Sequence, residues 1–390
     1  MQPMWPSRNW STPCSSPPTG RRRAPRSAPC ACYASWGEVA AMPDVALIYD
    51  PALDDYDLGE MHPLRPERVA FSVSLMEALG LLGDGPGRAR TVAPSAASDD
   101  DLLLVHSRAY VDAVKRCSAP PYPDDPAHGL GTADNPVAPR MHETSALICG
   151  GAVLGLAAVL DGRAERTFNV AGGLHHAHRD RAAGFCVYND PAVAIAAARR
   201  DRPGVRLAYL DIDAHHGDGV EEAFYETDEI LTISLHESGR YLFPGTGFPS
   251  ECGTGDGAGF ALNVPMPPYA SDACYALAFE RVVAPALRAF APAALVMQCG
   301  ADAHFADPLT SLGLTLDGHR SLVRGAVTVA REAFGGRIAA CGGGGYAWWS
   351  VVPLAWTNVL AELLEAEPDD ETPEPWRASL ADASGRPAPY

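Results

Sequence analysis

Short apolar runs that end in polar or glycine-rich clusters recur along this chain, each followed by a stretch with helical spacing. That alternation restricts the fold more than any other feature. The run at 205–210, free of proline and glycine, reads as a strand buried on both faces. Residues 45–49, 167–170, 230–235, 260–264, 294–299 and 337–341 also read as strands. Helical spacing covers 69–79, 141–160, 192–200, 220–225, 272–290, 317–334 and 351–364, with two short helices at 99–105 and 107–114. Strands alternating with helices predict an α/β fold of three layers, α/β/α, around a central, mainly parallel sheet. No strand is followed by Gly-x-Gly-x-x-Gly with an acid about twenty residues on, which argues against a dinucleotide site. Residues 119–140, rich in Pro, Gly and Asp, form a long loop of the kind that serves a site.

A chain of 390 residues can hold one large α/β domain or two smaller ones, and no internal repeat marks a second. Its 47% hydrophobic content is ample for a core. No window approaches the apolar length of a membrane span, so no membrane partner is expected. The net charge of -18 argues against nucleic acid as a partner, while a basic protein tail would be attracted. Ten scattered cysteines form no Cys-x-x-Cys pair, and Cys186, Cys299 and Cys341 lie in apolar or glycine-rich surroundings. Reduced, buried thiols in a cytoplasmic protein are the expectation. Residues 1–41, dominated by Pro, Ser and Arg, read as a disordered or non-native extension. The folded domain is expected over 42–378, starting at Met42, with a flexible tail at 379–390.

The polar clusters carry the chemistry. Asp211, Asp213 and His215 follow the 205–210 strand, and in an extended segment they would share one face. Asp and His without a thiolate suit a divalent metal of Zn, Fe or Mn type. Asp302, after the 294–299 strand, makes two carboxylates and one imidazole, a set that leaves an open coordination position. His175 and His176 exceed what one metal needs. Backed by acids such as Asp211 and Asp218, they look like proton-transfer groups. A metal that activates water beside a positioned base points to hydrolysis.

Leu174-His-His-Ala177, Gly184-Phe-Cys-Val-Tyr-Asn-Asp190, Asp211-Ile-Asp-Ala-His-His-Gly-Asp-Gly219, Ser234-Leu-His236, Phe243-Pro-Gly-Thr-Gly247, Gly300-Ala-Asp302 and Gly342-Gly-Gly-Gly-Tyr346 together resemble the arginase/deacetylase superfamily. Within it they resemble zinc-dependent histone deacetylases. Gly129-Leu-Gly-Thr-Ala-Asp-Asn-Pro136, Leu235-His-Glu-Ser-Gly239 and Asp307-Pro-Leu309 bring the chain nearest to bacterial acetoin utilisation proteins. The resemblance implies zinc, or iron(II) in vivo, on Asp213, His215 and Asp302. It implies His175/Asp211 and His176/Asp218 pairs beside the water, with His176 as general base and then acid and His175 supporting charge; sequence leaves the division between them open. Tyr346 would donate to the oxyanion, and Gly184, Phe185 and Phe243 would wall a tunnel for the lysine stem. A structural potassium ion would sit on Asp211, Asp213, Ser234 and the carbonyls of His215 and Leu235.

The substrate so implied is acetyl-lysine in a protein or peptide, such as an acetyl-CoA synthetase. An acetylpolyamine amidohydrolase is the alternative, with Asp124, Asp125 and Asp134 as candidate acids at the rim. A non-catalytic acetyl-lysine binding protein is the alternative from another class.

Overall fold

The structure, a computed structural model, describes residues 44–368 and 371–387. The extension expected over 1–41 lies outside the described residues, as do residues 388–390 of the expected tail. In chain order the elements are β1 (Val45–Ile48), α1 (Glu67–Ala78), β2 (Arg90–Val92), α2 (Asp99–Leu102), α3 (Arg108–Cys117), α4 (Met141–Leu160), β3 (Arg166–Asn169), α5 (Asp190–Asp201), β4 (Leu207–Asp211) and α6 (Asp218–Phe224). There follow β5 (Ile230–Glu237), β6 (Ala261–Met266), α7 (Asp272–Ala278), α8 (Ala284–Phe290), β7 (Ala294–Gln298), α9 (Leu316–Phe334), β8 (Ile338–Cys341), α10 (Val352–Leu364) and α11 (Glu374–Ser384).

The strands form one sheet in the order β2-β1-β3-β8-β7-β4-β5-β6, with every pair parallel. Parallel neighbours need long crossovers, and the helices supply them while covering both faces. Accordingly β3, β4, β5, β7 and β8 are buried along their whole length. The register sets where the site lies. Asn169, Cys341, Gln298, Asp211 and Ser234 pair side by side across β3, β8, β7, β4 and β5. The loops that follow these strands therefore start at one level. From β4 the chain moves to β5 and β6, whereas from β7 it moves the other way to β8, so β4 and β7 flank a switch point. In open parallel sheets the crevice at such a point takes the ligand.

Four expectations are corrected. The three-residue edge strand β2 was not expected, because Arg90-Thr-Val92 is partly exposed and carries no apolar run. The helix expected over 272–290 runs its full length but is not α-helical throughout: Phe279–Val283 form a π turn, where the Phe279 ring lies against Gly325 of α9. The domain does not stop at 378: α11 runs to Ser384, Trp376 and Leu380 are buried against Leu75, and the Trp376 indole N–H donates to Phe71 O at 3.2 Å. Finally, α4 is long and apolar enough to cross a membrane, with a mean hydropathy of 1.8. It lies against β3 and α5 and 67% of that window is buried, so its apolar surface faces the protein's own core. Its glycines allow that approach, since a Cβ at Gly155 would stand 2.8 Å from Thr167 Oγ1 of β3.

Candidate active site

Strand β4 ends at Asp211, so the pleat does not carry Asp213 and His215 onto one face as the sequence spacing implied. Two side-chain turns do so instead. Asp211 Oδ1 accepts the Asp213 N–H at 3.0 Å, and Asp213 Oδ1 accepts the His215 N–H at 2.9 Å. Asp302, in the loop after β7, is tied in when its Oδ1 accepts the Ala214 N–H at 2.8 Å. From the loop after β8, the Gly344 N–H donates to Asp213 Oδ2 at 2.6 Å. Ligand-type atoms of Asp213, His215 and Asp302 then lie within 4.8 Å of one another, all buried.

This cluster fits a divalent cation. His215 Nδ1 stands 2.9 Å from Asp302 Oδ2 and 3.2 Å from Asp213 Oδ1. Burial alone would lower its proton affinity, but hydrogen bonds to both carboxylates carry it up to about 10. Burial and the nearby Asp213 push Asp302 up to about 6. Two carboxylates around one imidazole, out of water, require a positive charge. A set of oxygens and one nitrogen suits a divalent ion. Glycine at 344 keeps this face open, because a Cβ there would fall 2.1 Å from Asp302 Oδ2.

The two histidines stand beside the cluster, each backed by the acid expected for it. His175 Nδ1 lies 2.8 Å from Asp211 Oδ2, and His176 Nδ1 lies 2.7 Å from Asp218 Oδ1. Their rings are 4.0 Å apart, yet their environments differ. Burial works against charge on His175, but Asp211, Asp213 and Asp218 outweigh it and raise it to about 9. For His176, burial and the neighbouring His175 and His215 outweigh Asp218 and lower it to about 4. Asn189 fixes the loop by donating from Nδ2 to His175 O and Ala177 O, both at 3.0 Å. Asp190 accepts from the Gly173 and Leu174 amides.

Tyr346 completes the circle. Its N–H donates to Asp307 Oδ2 at 2.8 Å, and its ring packs edge-on to Phe185 at 5.7 Å and to His215 at 6.4 Å. Its hydroxyl has no hydrogen-bond partner among the described residues, and burial with Asp302 and Asp213 nearby holds its pKa well above 10. Phe243 packs against His176 at 5.0 Å and stays 44% exposed at the rim. Gly184 lies between these groups with φ of +51°; a Cβ there would meet the His176 ring at 2.4 Å and the Phe243 ring at 2.9 Å. Ser234 pairs with Asp211 in the register, and its hydroxyl is 2.8 Å from His236 Nδ1; Leu235 follows it in β5.

Several site residues gave no signal in the sequence. Arg68 of α1 is buried with no carboxylate partner among the described residues, and its Nη1 donates to Gly343 O at 2.6 Å. The Tyr209 hydroxyl donates to Asp211 Oδ2 at 2.7 Å. His178 sits between Asp218, at 3.3 Å, and Glu222, which carry it up to about 9 against its burial. Asp307 was legible only as part of a motif. His62 packs edge-on to Phe185 at 4.5 Å.

Comparison with known proteins shows the family. A histone deacetylase domain model matches residues 62–363. The acetoin utilization protein AcuC of Bacillus subtilis (strain 168) is 40% identical over 337 residues, covering 86% of each chain. AcuC of Staphylococcus xylosus is 34% identical over 332 residues, covering 84% of this chain and 85% of the relative. The crystal structure of a histone deacetylase homolog from Aquifex aeolicus is similar at a TM-score of 0.77 and 32% identity, covering 86% of this chain and 88% of that one. A homolog complexed with SAHA gives a TM-score of 0.79 at 32% identity, covering 87% and 89%. With an Asp-His-Asp cluster that could hold a metal ion at the switch point of an arginase/deacetylase fold, the chain belongs to the histone deacetylase family of deacetylases and is AcuC-like.

Proposed function

We propose that this chain is a zinc enzyme that hydrolyses the acetyl amide of Nε-acetyl-lysine in proteins. One observation carries the reading: two His–Asp pairs and an unbonded tyrosine hydroxyl surround a single Asp-His-Asp cluster. Asp213, His215 and Asp302 would hold the ion, zinc or, in vivo, iron(II). When bound, such an ion supplies Lewis acidity at neutral pH.

The protein's own groups do the rest. His176, bonded through Nδ1 to Asp218, has Nε2 free to take a proton from the attacking water and return it to the departing amine. Burial and the nearby His175 keep it neutral beforehand. His175, held charged by Asp211, supports negative charge as it develops on the acyl oxygen. Tyr346 remains protonated and donates its hydroxyl to that oxygen. Gly184, Phe185 and Phe243 wall the passage for the four-carbon stem. A structural potassium ion on Asp211, Asp213, Ser234 and the carbonyls of His215 and Leu235 is supported by the Asp211–Ser234 pairing. It should raise the melting temperature in KCl over NaCl at equal ionic strength.

The partner to test first is an acetylated metabolic enzyme of the cytoplasm, such as an acetyl-CoA synthetase. The second reading, an acetylpolyamine amidohydrolase, draws on one observation. Of the loop acids, Asp134 lines a cavity of about 710 Å³ beside Phe243 and Gly184, whereas Asp125 pairs with Arg116 and His128, and Asp124 lies against Gly131. The deciding experiment compares acetate release from an acetyl-lysine peptide and from N-acetylputrescine by zinc-loaded protein. Faster peptide turnover is expected, and faster putrescine turnover would favour the second reading. Tight peptide binding with no acetate from either would leave a non-catalytic acetyl-lysine binding protein.

A further inference from the structure

The wall made by Gly184 and Phe243 has a second side, and behind it lies the cavity of about 710 Å³. Glu221, from α6, lines it while only 8% exposed. Its Oε2 accepts from Asn263 Nδ2 at 2.6 Å and faces His216 Nε2 at 3.2 Å. Its Oε1 has no hydrogen-bond partner among the described residues. That oxygen keeps accessible surface in the cavity, so a ligand there that carries a donor can bond it directly. Glu222, Glu251 and Asp134 add negative charge around the same space. Arg181 and His178, 2.9 Å apart, are the opposing groups, so carboxylates outnumber cations. Tyr225, Pro244 and the Phe243 ring contribute apolar surface. The combination suits an alkyl stem that ends in a positive charge.

We propose that this cavity is a specificity subsite for a cationic side chain, an arginine or lysine that neighbours the acetyl-lysine in the substrate. The proposal rests on the deacetylase reading and names its substrate class. Phe243 is the partition between passage and cavity, so a chain with its acetyl-lysine in the passage crosses the exposed edge of that ring to place an adjacent residue. The distal ammonium of an acetylated polyamine offers the same chemistry from a free small molecule.

The test uses peptides with one acetyl-lysine and either arginine or its neutral isostere citrulline at each of the two positions on either side. Binding is read by fluorescence anisotropy and turnover by acetate release, with zinc-loaded native protein. At one flank arginine should bind about tenfold more tightly than citrulline, the low end for a hydrogen bond to a charged group. The preference should shrink with added salt. Glu221→Gln should bring it within about twofold and leave turnover of the citrulline peptide unchanged. Glu251→Gln should reduce it in part; it keeps an acceptor for the Gly247 and Phe248 amides, so it serves if Glu221→Gln does not fold. Equal binding of arginine and citrulline peptides at every flank would overturn the subsite even if acetate is released. Preferential binding without acetate release would keep the subsite and refute the deacetylase reading. An acetylated triamine that displaces the arginine peptide from native protein but not from Glu221→Gln, and that turns over faster, would also overturn it by making the ligand a polyamine.

Discussion

Tyr346→Phe isolates a single hydroxyl. The ring keeps its edge contacts with Phe185 and His215, and the backbone keeps its bond to Asp307, so fold and zinc content should be unchanged. Because the hydroxyl has no partner in the described structure, its removal strands no donor or acceptor. The whole cost should therefore fall on the transition state, where charge develops on the acyl oxygen. Loss of one preorganised oxyanion donor is worth about 2.7–4 kcal/mol, or roughly a hundred- to a thousandfold in turnover. Peptide affinity should move far less, since the stem is still held by the passage walls. The assay is single-turnover deacetylation of an acetyl-lysine peptide by native and variant protein at matched zinc content. Turnover within about threefold of native, under about 1 kcal/mol, would remove Tyr346 from the mechanism.

Asp302→Ala should strip zinc from the purified protein, because a three-residue ligand set has no spare member; stoichiometric zinc in the variant would refute the ligand assignment. Trp376→Ala should destabilise the protein by about 3–5 kcal/mol in urea unfolding, since Trp376 anchors α11 on α1. No shift in midpoint would show that the C-terminal helix is dispensable. His106 accepts the Asn189 N–H at 3.1 Å and donates to His178 O at 2.9 Å, and burial lowers it from 6.5 to about 4. The unfolded chain takes up that proton first, so this stability is fully present above pH 6.5 and is lost progressively down to about pH 4. The whole span is worth about 3 kcal/mol. Urea midpoints should fall between pH 7.5 and pH 5, and less steeply in His106→Gln; equal slopes would exclude His106.

The sequence by itself determined whatever rests on local hydrogen bonds and on the burial of short runs. Helix α4 falls on the residues expected, and β4 leads into the Asp213/His215 cluster because side-chain turns a few residues long assemble it wherever the chain goes. The pairing of His175 with Asp211 and of His176 with Asp218 was legible through the family resemblance and not through spacing, since 36 and 42 positions separate the partners. Other features were decided only in three dimensions. The row from Asn169 to Ser234 that sets the loops at one level is a matter of register between strands far apart in sequence. Arg68 reaches Gly343 across 275 positions, and a lone arginine on a helix carries no sign of such a partner. The extension of α11 beyond residue 378 was not expected, because Trp376 and Leu380 acquire meaning only when α1 presents Leu75 and Phe71 to them. The open oxygen of Glu221 belongs to the same class. A carboxylate on a short helix is ordinary in sequence; the tertiary fold buries it, leaves one oxygen without a donor and opens a cavity in front of it.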